Sequence, residues 1–336
     1  MWTDPGTRTP GPGDTDRVRR LAALLTLLVT VLVVPAPAPA QSVGRSAWVS
    51  VAVARLWQSP SAPRAVDAPA LAAPVRFRAW LADMSLAERR ALAFHSDTEA
   101  LLGERVVVTG VRGSWAHVVV PDQPSPKDPR GYPGWVPLRQ ITYAAPPASG
   151  PVATVVRRTT WLRVDTSAAP KVLEVSYGTV LPVVSSGATL VRVRTPLGVV
   201  RRVAAASVVV HARGTAARPR TGADLVRSAQ SFSGLPYLWG GLSGFGLDCS
   251  GLTWVDYRVH GRVISRDALP QSRHGRPVAR ASLRPGDLIF YATNGLVHHV
   301  TMYAGRGRMV EAPHTGAVVR TVPVRGFEYF GARRYL

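Results

Sequence analysis

Short strand-like runs separated by tight turns fill residues 41–212, and this pattern constrains the fold more than any other feature of the sequence. The run "VVVTGVRGSWAHVVV" alternates strand-forming residues around a Gly-Ser turn, and "GYPGWVP" follows with further turn residues. The runs "VLEVSYGTVLPVV" and "ATLVRVRTPLGVVRRV" repeat the pattern with Ser-Gly and Pro-Leu-Gly turns. The sequence therefore predicts two small all-β barrels, over residues 41–145 and 150–212.

The first barrel contains a helical insertion. In the stretch "PVRFRAWLADMSLAERRALAF", Phe77, Trp80 and Met84 recur at helical spacing. Ser85 and Glu88 then match a capping box, in which the side chain of each residue binds the backbone amide of the other. This pair predicts the start of a second helix, so the domain is expected to be a barrel with a helical excursion.

The pattern changes after a connector at residues 213–221, which has Gly, Pro and Arg but no apolar period. From residue 222 to 336, helical stretches come first and strand-like runs follow. The four strand-like runs are "DLIFYA", "HHVTMYAG", "GRMVEAP" and "AVVRTVPV". Helices followed by antiparallel strands predict an α+β domain in which the helices pack on one sheet.

The first 40 residues have the features of a cleavable export signal. Three arginines precede an apolar run over residues 21–34, and "PAPAPAQ" follows with alanines suited to signal-peptidase recognition. The run is shorter than the roughly 20 residues that span a bilayer as a helix. We therefore predict secretion to the cell wall, with cleavage near Ala40 and no transmembrane segment in the mature chain. A retained membrane anchor is the alternative.

The chain is strongly basic, with 41 Lys and Arg against 20 Asp and Glu and a formal net charge of +21. An excess of this kind favours polyanionic partners. The sequence has no zinc-finger spacing, no helix-turn-helix signal and no aromatic-basic stripe, which argues against nucleic acid. For an exported protein we expect anionic cell-wall polymers as partners. A general preference for surface arginine is the alternative explanation.

Cys249 is the only cysteine in 336 residues, so no disulfide can form within the chain. In "DCSGLTWVDY" the spacing of Leu252 and Val255 predicts a helix, with Asp248 as its N-cap. Cys249 then lies in the first turn, where free backbone amides and the helix dipole favour the thiolate. The sequence predicts a nucleophile at this position, and a buried structural cysteine is the alternative.

His299 begins the strand-like "HVTMYAG" and is the predicted base for this thiol. A Cys–His pair works only within hydrogen-bond reach, and a rigid strand can provide that placement. The adjacent His298 must project from the opposite face of the strand. Glu311, on the next strand, can orient the imidazole, and His314 competes for that role. The histidines lack zinc spacing, so we expect neither a metal nor another cofactor.

The motifs "PYLWGG", "DCSGLTWVDY", "RPGDLIFY", "HHVTMYAG" and "EAPHTG", in this order, resemble the NlpC family of papain-like cysteine peptidases, which cut peptidoglycan stem peptides. The resemblance covers about residues 222–336. It implies that Cys249 is the nucleophile and His299 the base. The family's third polar position, usually His, Asn or Gln, falls on Glu311, which keeps an acceptor but changes its charge.

Two further positions take part in substrate binding by the same resemblance. Tyr237 in "PYLWGG" matches a tyrosine whose hydroxyl helps to bind the developing oxyanion, with the Cys249 backbone amide as the other donor. Such donors typically contribute about 3 kcal/mol each to lowering the barrier. Ser250, the residue after the nucleophile, is a further candidate for binding the substrate or the oxyanion. On residue type alone, Tyr237 is equally compatible with a core tyrosine that has a solvated hydroxyl.

The two barrels resemble bacterial SH3-like domains, and the first is similar to the leading barrel of γ-D-glutamyl-L-diamino-acid endopeptidases over residues 48–142. In that subgroup the barrel closes one end of the active-site groove. Acidic and tyrosine side chains there bind the free amine of an N-terminal L-alanine. The matching positions are Asp97, where glutamate is usual, Tyr132 and Asp248. The resemblance implies cleavage of the bond between γ-D-glutamate and the diamino acid.

Two other functions remain compatible with the sequence. The same thiol could act on another wall bond, such as a cross-link or the muramoyl amide. Alternatively, the barrels could hold the wall polymer while the third domain is inactive. All three readings share one fold class: two SH3-like barrels followed by an α+β papain-like (NlpC-type) domain.

Overall fold

The computed structural model describes residues 42–336, so the predicted export signal at residues 1–40 lies outside the described part of the chain. The described residues form two seven-stranded sheets, then a two-stranded and a six-stranded sheet accompanied by helices. This order of two all-β domains and one α+β domain is the order that the sequence predicted. No helix within residues 42–336 is long and apolar enough to cross a membrane.

The first barrel, residues 46–142, contains seven strands. These are β1 (Ser46–Val49), β2 (Val53–Trp57), β3 (Ser96–Leu101), β4 (Arg105–Arg112), β5 (Trp115–Val120), β6 (Tyr132–Pro137) and β7 (Ile141–Thr142). They pair antiparallel in the order β3-β2-β6-β5-β4-β1-β7. Buried apolar side chains such as Val49, Leu56 and Val118 form the core of this domain.

The helical insertion lies between β2 and β3. Its helices are α1 (Ala68–Leu71), α2 (Phe77–Asp83) and α3 (Leu86–Ala91). The predicted capping box is present at the start of α3: the Glu88 amide donates to Ser85 Oγ at 3.2 Å, and the Ser85 amide donates to Glu88 Oε2 at 2.8 Å. The Phe77 ring packs 5.2 Å from the ring of Phe245. The insertion therefore joins the barrel to the third domain.

The second barrel, residues 152–211, also contains seven strands. These are β8 (Val152–Val155), β9 (Thr159–Val164), β10 (Lys171–Ser176), β11 (Val180–Ser186), β12 (Leu190–Arg194), β13 (Val200–Ala204) and β14 (Val208–His211). They are ordered β10-β9-β13-β12-β11-β8-β14. Val155, Leu162 and Val193 lie in its core. No insertion interrupts it, which leaves a smaller domain than the first barrel.

The third domain begins with helices and ends with strands. Its helices are α4 (Gly222–Gln230), α5 (Cys249–Val259) and α6 (Ala268–Arg273). Its strands are β15 (Leu242–Ser243), β16 (Gly246–Leu247), β17 (Arg276–Val278), β18 (Leu288–Thr293), β19 (Leu296–Gly305), β20 (Arg308–Glu311), β21 (Arg320–Pro323) and β22 (Tyr329–Arg334). The large sheet has the order β17-β22-β18-β19-β20-β21. The sequence analysis missed β17 and β22.

Helices α4 and α5 pack on the large sheet. Leu225 and Trp254 from the helices share one apolar core with Val300 and Met302 from β19. Almost every residue of α5 is buried, so the start of this helix is inside the molecule. The fold therefore places the first residue of α5 against the centre of the sheet, which is where the predicted nucleophile lies.

Candidate active site

Cys249 is the first residue of α5 and is 8% exposed. Asp248 caps the helix as predicted: its Oδ1 accepts a hydrogen bond of 2.6 Å from the Gly251 amide. The Cys249 sulfur accepts from the backbone amides of Val300, on β19, and of Ser250. The sulfur therefore contacts the strand that carries the predicted base.

Burial opposes ionisation of the Cys249 thiol. Burial raises the pKa of Cys249 to about 12, and the charge of Asp248 acts in the same direction. Hydrogen bonds from two backbone amides only partly oppose this rise. Burial therefore opposes the stabilisation of the thiolate that the first helical turn is predicted to give. A base must remove the proton as the thiol attacks.

His299 is 6% exposed, and its Nε2 lies 3.0 Å from Oε2 of Glu311. An ionised carboxylate can only accept a hydrogen bond, so this contact keeps the proton on Nε2 and leaves Nδ1 as the basic nitrogen. Burial lowers the pKa of His299 below its ordinary value, although Glu311 opposes the change. His299 is therefore neutral near pH 7 and able to accept a proton.

The other two candidate histidines lie away from this contact. His298 is exposed, with its Nε2 3.1 Å from the Thr293 hydroxyl, as expected for the opposite face of the strand. His314 is exposed in a loop, where its Nδ1 lies 3.1 Å from the carbonyl oxygen of the next residue. Of the two candidates for orienting the base, Glu311 is the one that contacts His299.

Glu311 ends β20 and is fully buried. Its Oε1 accepts hydrogen bonds of 3.0 and 2.9 Å from Nε and Nη2 of Arg320, and Arg325 Nη1 lies 3.3 Å from Oε2. Burial alone would raise the pKa of Glu311, but His299 and the two arginines lower it below its ordinary value. The carboxyl group is therefore ionised beside the imidazole. The sequence analysis missed both arginines.

Arg266 joins the residues around the nucleophile to the first barrel. It is fully buried, and its guanidinium donates to Asp248 Oδ2 at 2.9 Å, to Ser250 Oγ at 3.0 Å and to Thr98 Oγ1, on β3, at 2.8 Å. Asp248 is thus both an N-cap and one half of a buried ion pair. The sequence analysis missed Arg266, because "ISRD" carries no periodicity or motif that signals a buried charge.

The two barrel residues predicted to bind an amine lie close together. The Nζ of Lys127 is 2.7 Å from Asp97 Oδ2, on β3, and 4.8 Å from the centre of the Tyr132 ring, on β6. The Tyr132 hydroxyl donates to Asp267 Oδ1 at 3.5 Å. Lys127 places an ammonium group among side chains that were predicted to bind one. Asp267, the N-cap residue of α6, is an acidic neighbour that the sequence analysis missed.

Tyr237 is 7% exposed and lies near the nucleophile. Its backbone forms a parallel bridge with Leu247, two residues before Cys249. Burial raises the pKa of the Tyr237 hydroxyl well above its ordinary value, and negative charge at Cys249 and Asp248 adds to the rise. The hydroxyl therefore keeps its proton and can donate a hydrogen bond throughout the physiological pH range.

The loop before the nucleophile is held by the first barrel. Arg55, on β2, is fully buried and donates to Glu99 Oε1 at 3.0 Å and to the Trp239 carbonyl oxygen at 2.7 Å. Glu99 accepts from the Leu242 amide at 3.0 Å. Gly240 has a φ of +69°, and a Cβ there would lie 2.9 Å from a barrel carbonyl oxygen. Glycine thus permits the close approach of loop and barrel.

Taken together, the fold and the site define a papain-like cysteine peptidase: a thiol at the start of a buried helix lies beside an antiparallel strand whose histidine is held by an acidic side chain. Within residues 42–336, no group of three His, Cys, Asp or Glu side chains is arranged to hold a metal ion. A model of the NlpC/P60 family matches residues 234–332, and a model described as the YKFC SH3b2 domain matches residues 155–210.

Whole-chain relatives agree with these matches. A γ-D-glutamyl-L-lysine dipeptidyl-peptidase of Bacillus cereus is 39% identical over 86% of this chain and 91% of its own length. One of Bacillus subtilis is 38% identical over 79% of this chain and 89% of its own length. The crystal structure of an NlpC/P60 family protein from Bacillus cereus has a TM-score of 0.83 and 39% identity, covering 87% of this chain and 99% of that chain. The chain therefore belongs to the NlpC/P60 family and is a cysteine-type hydrolase with SH3-like barrels.

Proposed function

We propose that the protein is a secreted peptidoglycan endopeptidase that hydrolyses the amide between γ-D-glutamate and the diamino acid, diaminopimelate or lysine, of stem peptides, with a preference for a free N-terminal L-alanine. The names of the two Bacillus relatives specify a γ-D-glutamyl-L-lysine bond and the release of dipeptides. The observation that carries the proposal is the buried 3.0 Å contact between His299 and Glu311, beside a thiol that accepts from the next backbone amide of the same strand.

In this proposal Cys249 is the nucleophile and His299 is the base. Nδ1 of His299 takes the thiol proton as the sulfur bonds to the carbonyl carbon of γ-D-glutamate, and the carbonyl oxygen becomes an oxyanion. The Tyr237 hydroxyl and the Cys249 amide donate hydrogen bonds to that oxygen. The C–N bond then breaks, and the diamino acid leaves as an amine that carries the proton from His299. An acyl group remains on the sulfur.

Water completes the cycle. His299 removes a proton from the water molecule as its oxygen attacks the thioester carbonyl, and the sulfur leaves as a thiolate. The thiolate then regains its proton from the imidazolium, so the protein ends unchanged. During both steps Glu311 retains the hydrogen bond to Nε2 and stabilises the transient positive charge of the ring.

The preference for a free amino end follows from charge. A released stem peptide presents an ammonium at its L-alanine, whereas a peptide attached to glycan has an uncharged amide there. Asp97 and Tyr132 already contact the Lys127 ammonium, and burial raises the pKa of the neighbouring Asp267, which Arg266 and Lys127 only partly oppose. A ligand without an ammonium could not take the place of Lys127 at Asp97 and would lose a charge-assisted hydrogen bond, which typically contributes about 1.5–3 kcal/mol. Asp248, paired with Arg266, supports the same pocket from behind the nucleophile.

Mass spectrometry of the products from L-Ala-γ-D-Glu-L-Lys and L-Ala-γ-D-Glu-diaminopimelate tests the proposal. The wild-type protein should release L-Ala-γ-D-Glu, and Cys249→Ala should release none while it remains folded by circular dichroism. Cys249→Ser is the matched control, because it keeps a group of similar size that is a much weaker nucleophile. Equal product from the wild type and from Cys249→Ala would contradict the thiol mechanism.

We also propose that residues 1–40 direct export and that the positive charge of the mature chain binds anionic wall polymers. Between the two barrels and the end of α5, a cavity of about 420 Å³ is lined by Arg105, Arg194 and Arg213, among others. Binding to isolated cell walls should weaken as salt is added, and weaken further in the Arg194→Gln/Arg213→Gln variant. Hydrolysis of a soluble peptide should be unchanged. Wall binding that responds to neither salt nor these substitutions contradicts the proposal.

A further inference from the structure

Two arginines converge on the carboxylate of Glu311, and the reaction described above gives neither of them a role. Arg320 lies directly opposite Glu311 in the pairing of β20 with β21, so the two side chains share one face of the sheet. Nε and Nη2 of Arg320 both donate to Oε1, at 3.0 and 2.9 Å. Two hydrogen bonds from one planar guanidinium fix the orientation of the carboxylate.

Arg325 reaches the same carboxylate from the connection between β21 and β22. Its Nη1 lies 3.3 Å from Oε2, the oxygen that also contacts His299. Its guanidinium lies 4.5 Å from the centre of the Tyr291 ring and 5.6 Å from that of Phe327. Tyr291 is the cross-strand partner of His299 in the pairing of β18 with β19. Arg325 is thus linked to the base twice, through Glu311 and through Tyr291.

A carboxylate as deeply buried as Glu311 needs this compensation. An isolated buried carboxyl group takes up a proton, because the neutral acid costs less to bury than the anion. A protonated Glu311 would no longer fix the proton on Nε2 of His299. An ionised Glu311 without cations would stabilise the imidazolium of His299 strongly. The imidazolium would then be a poor proton donor to the leaving amine. Cations beside the carboxylate prevent both effects: they keep Glu311 ionised, and they reduce the negative charge that stabilises the imidazolium.

We propose that Arg320 and Arg325 are positioning residues for the base: Arg320 keeps Glu311 ionised and oriented, and Arg325 reduces the negative charge that Glu311 presents to His299. The inference rests on the role of His299 proposed above. It explains how Glu311 can stay ionised beside His299 although it is fully buried. Besides Glu311 and Arg325, the charge that acts on His299 is that of His298 on the same strand, which lies 3.8 Å from Glu328, and the ring of Tyr291 packs against the His299 ring.

The two arginines should have different kinetic effects. The charge of Arg325 lowers the pKa of His299, in the same direction as burial does. Arg325→Met should therefore move the acid limb of kcat/KM to higher pH by about one unit, whereas Arg325→Lys, which keeps the charge, should leave the limb near its wild-type position. Arg320→Met should lower kcat about tenfold, because Glu311 loses both hydrogen bonds from the guanidinium and with them its fixed orientation.

Substitutions made in a Glu311→Gln variant distinguish a positioning role of Arg320 from a general loss of structure. Arg320→Met should have little further effect on kcat when it is added to Glu311→Gln, because Arg320 acts through the carboxylate. Arg308→Met is the matched control for both arginines: Arg308 is exposed on β20 and donates to the Thr321 carbonyl oxygen at 2.8 Å. It should leave the pH profile unchanged. Equal losses from Arg320→Met in the wild-type and the Glu311→Gln backgrounds overturn the role assigned to Arg320.

NMR titration of the His299 ring in a Cys249→Ala protein gives a readout that needs no turnover. Adding Arg325→Met should raise the measured pKa of His299 by about one unit, and adding Arg308→Met should not change it. If the peptidase activity proves absent but this shift is found, the inference about Arg325 stands and the proposed function falls. An unchanged pKa in the folded Arg325→Met protein overturns the inference, whatever the activity.

Discussion

The two barrels share a fold class but meet the catalytic domain in different ways, and the first one meets it beside the nucleophile. Its Arg55 and Glu99 hold the loop that precedes Cys249, and its Thr98 accepts a hydrogen bond from Arg266, which in turn binds the cap of α5. All four of these contacting side chains are fully buried. The first barrel is therefore a part of the active-site structure.

The second barrel contacts the catalytic domain at the far end of α5 and at the turn between β15 and β16. The Tyr177 hydroxyl donates to Asp256 Oδ1, near the end of α5, at 3.3 Å, and the Tyr177 ring lies edge-on to Phe232 with centroids 5.1 Å apart. Ser176 Oγ accepts from the Gly244 amide at 2.8 Å. A shared fold therefore does not fix a shared role, because the role depends on which polar side chains lie at the contact.

Arg55→Met should give the largest effect on stability. The substitution leaves Glu99 buried without its cation, and removing one partner of a buried ion pair costs about 3–5 kcal/mol. The free energy of unfolding, measured with a chemical denaturant, should fall by that amount. Activity on the stem peptide should fall as well, because the Trp239 carbonyl oxygen loses its donor.

The control for this prediction is the double variant Arg55→Met/Glu99→Leu. With both charges removed, part of the lost stability should return, because an apolar pair is cheaper to bury than a single charge. Activity should stay low, since the loop of Trp239 remains without its anchor. If the free energy of unfolding of the single variant falls by less than about 1 kcal/mol, the loss is typical of an ordinary surface substitution. That result would contradict the structural role given to Arg55.

Tyr132→Phe should affect substrate selection more than stability. Loss of a hydrogen bond near the substrate ammonium should raise KM for a peptide with a free L-alanine about tenfold, with kcat nearly unchanged. Lys127→Met is a control with the opposite expected result. It removes an ammonium that competes with the substrate for Asp97, so the KM for the peptide with a free L-alanine should fall. An N-acetylated peptide should respond to neither substitution. Parallel changes for both peptides would show that Tyr132 does not bind the amine.

Tyr177→Phe should have the smallest effect of the three. The lost hydrogen bond to Asp256 contributes about 1 kcal/mol to stability. Thermal denaturation and peptide hydrolysis should show a modest loss of stability with unchanged kcat/KM. A large fall in kcat/KM would show that the second barrel contributes to the active site, contrary to this prediction.

Features with a local signal were predictable from the sequence. The capping box of Ser85 and Glu88 and the cap at Asp248 follow from residue spacing, and the opposite faces of His298 and His299 follow from the geometry of a strand. The structure contains each of them. The contact between His299 and the acidic residue on the next strand was also predictable, because a hairpin-sized interval separates the two.

Features that depend on strand register or burial were not predictable. Arg320 contacts Glu311 because β20 and β21 pair in one particular register, and Arg266 binds Thr98 across 168 positions of the chain. Neither relation leaves a mark in the local sequence. The burial of Cys249 was not predictable for a similar reason: the helix start is visible in the sequence, but the depth at which the fold buries it is not.

The measurement that tests the account most directly is the ratio of kcat/KM for L-Ala-γ-D-Glu-diaminopimelate to kcat/KM for the same peptide with an acetylated amino end. If the first barrel supplies an ammonium pocket beside the nucleophile, the ratio should be about 10 or more, since acetylation removes the positive charge that would take the place of Lys127 at Asp97 and with it a charge-assisted hydrogen bond. A ratio near one would contradict that account, because the barrel would then have no part in selecting the substrate.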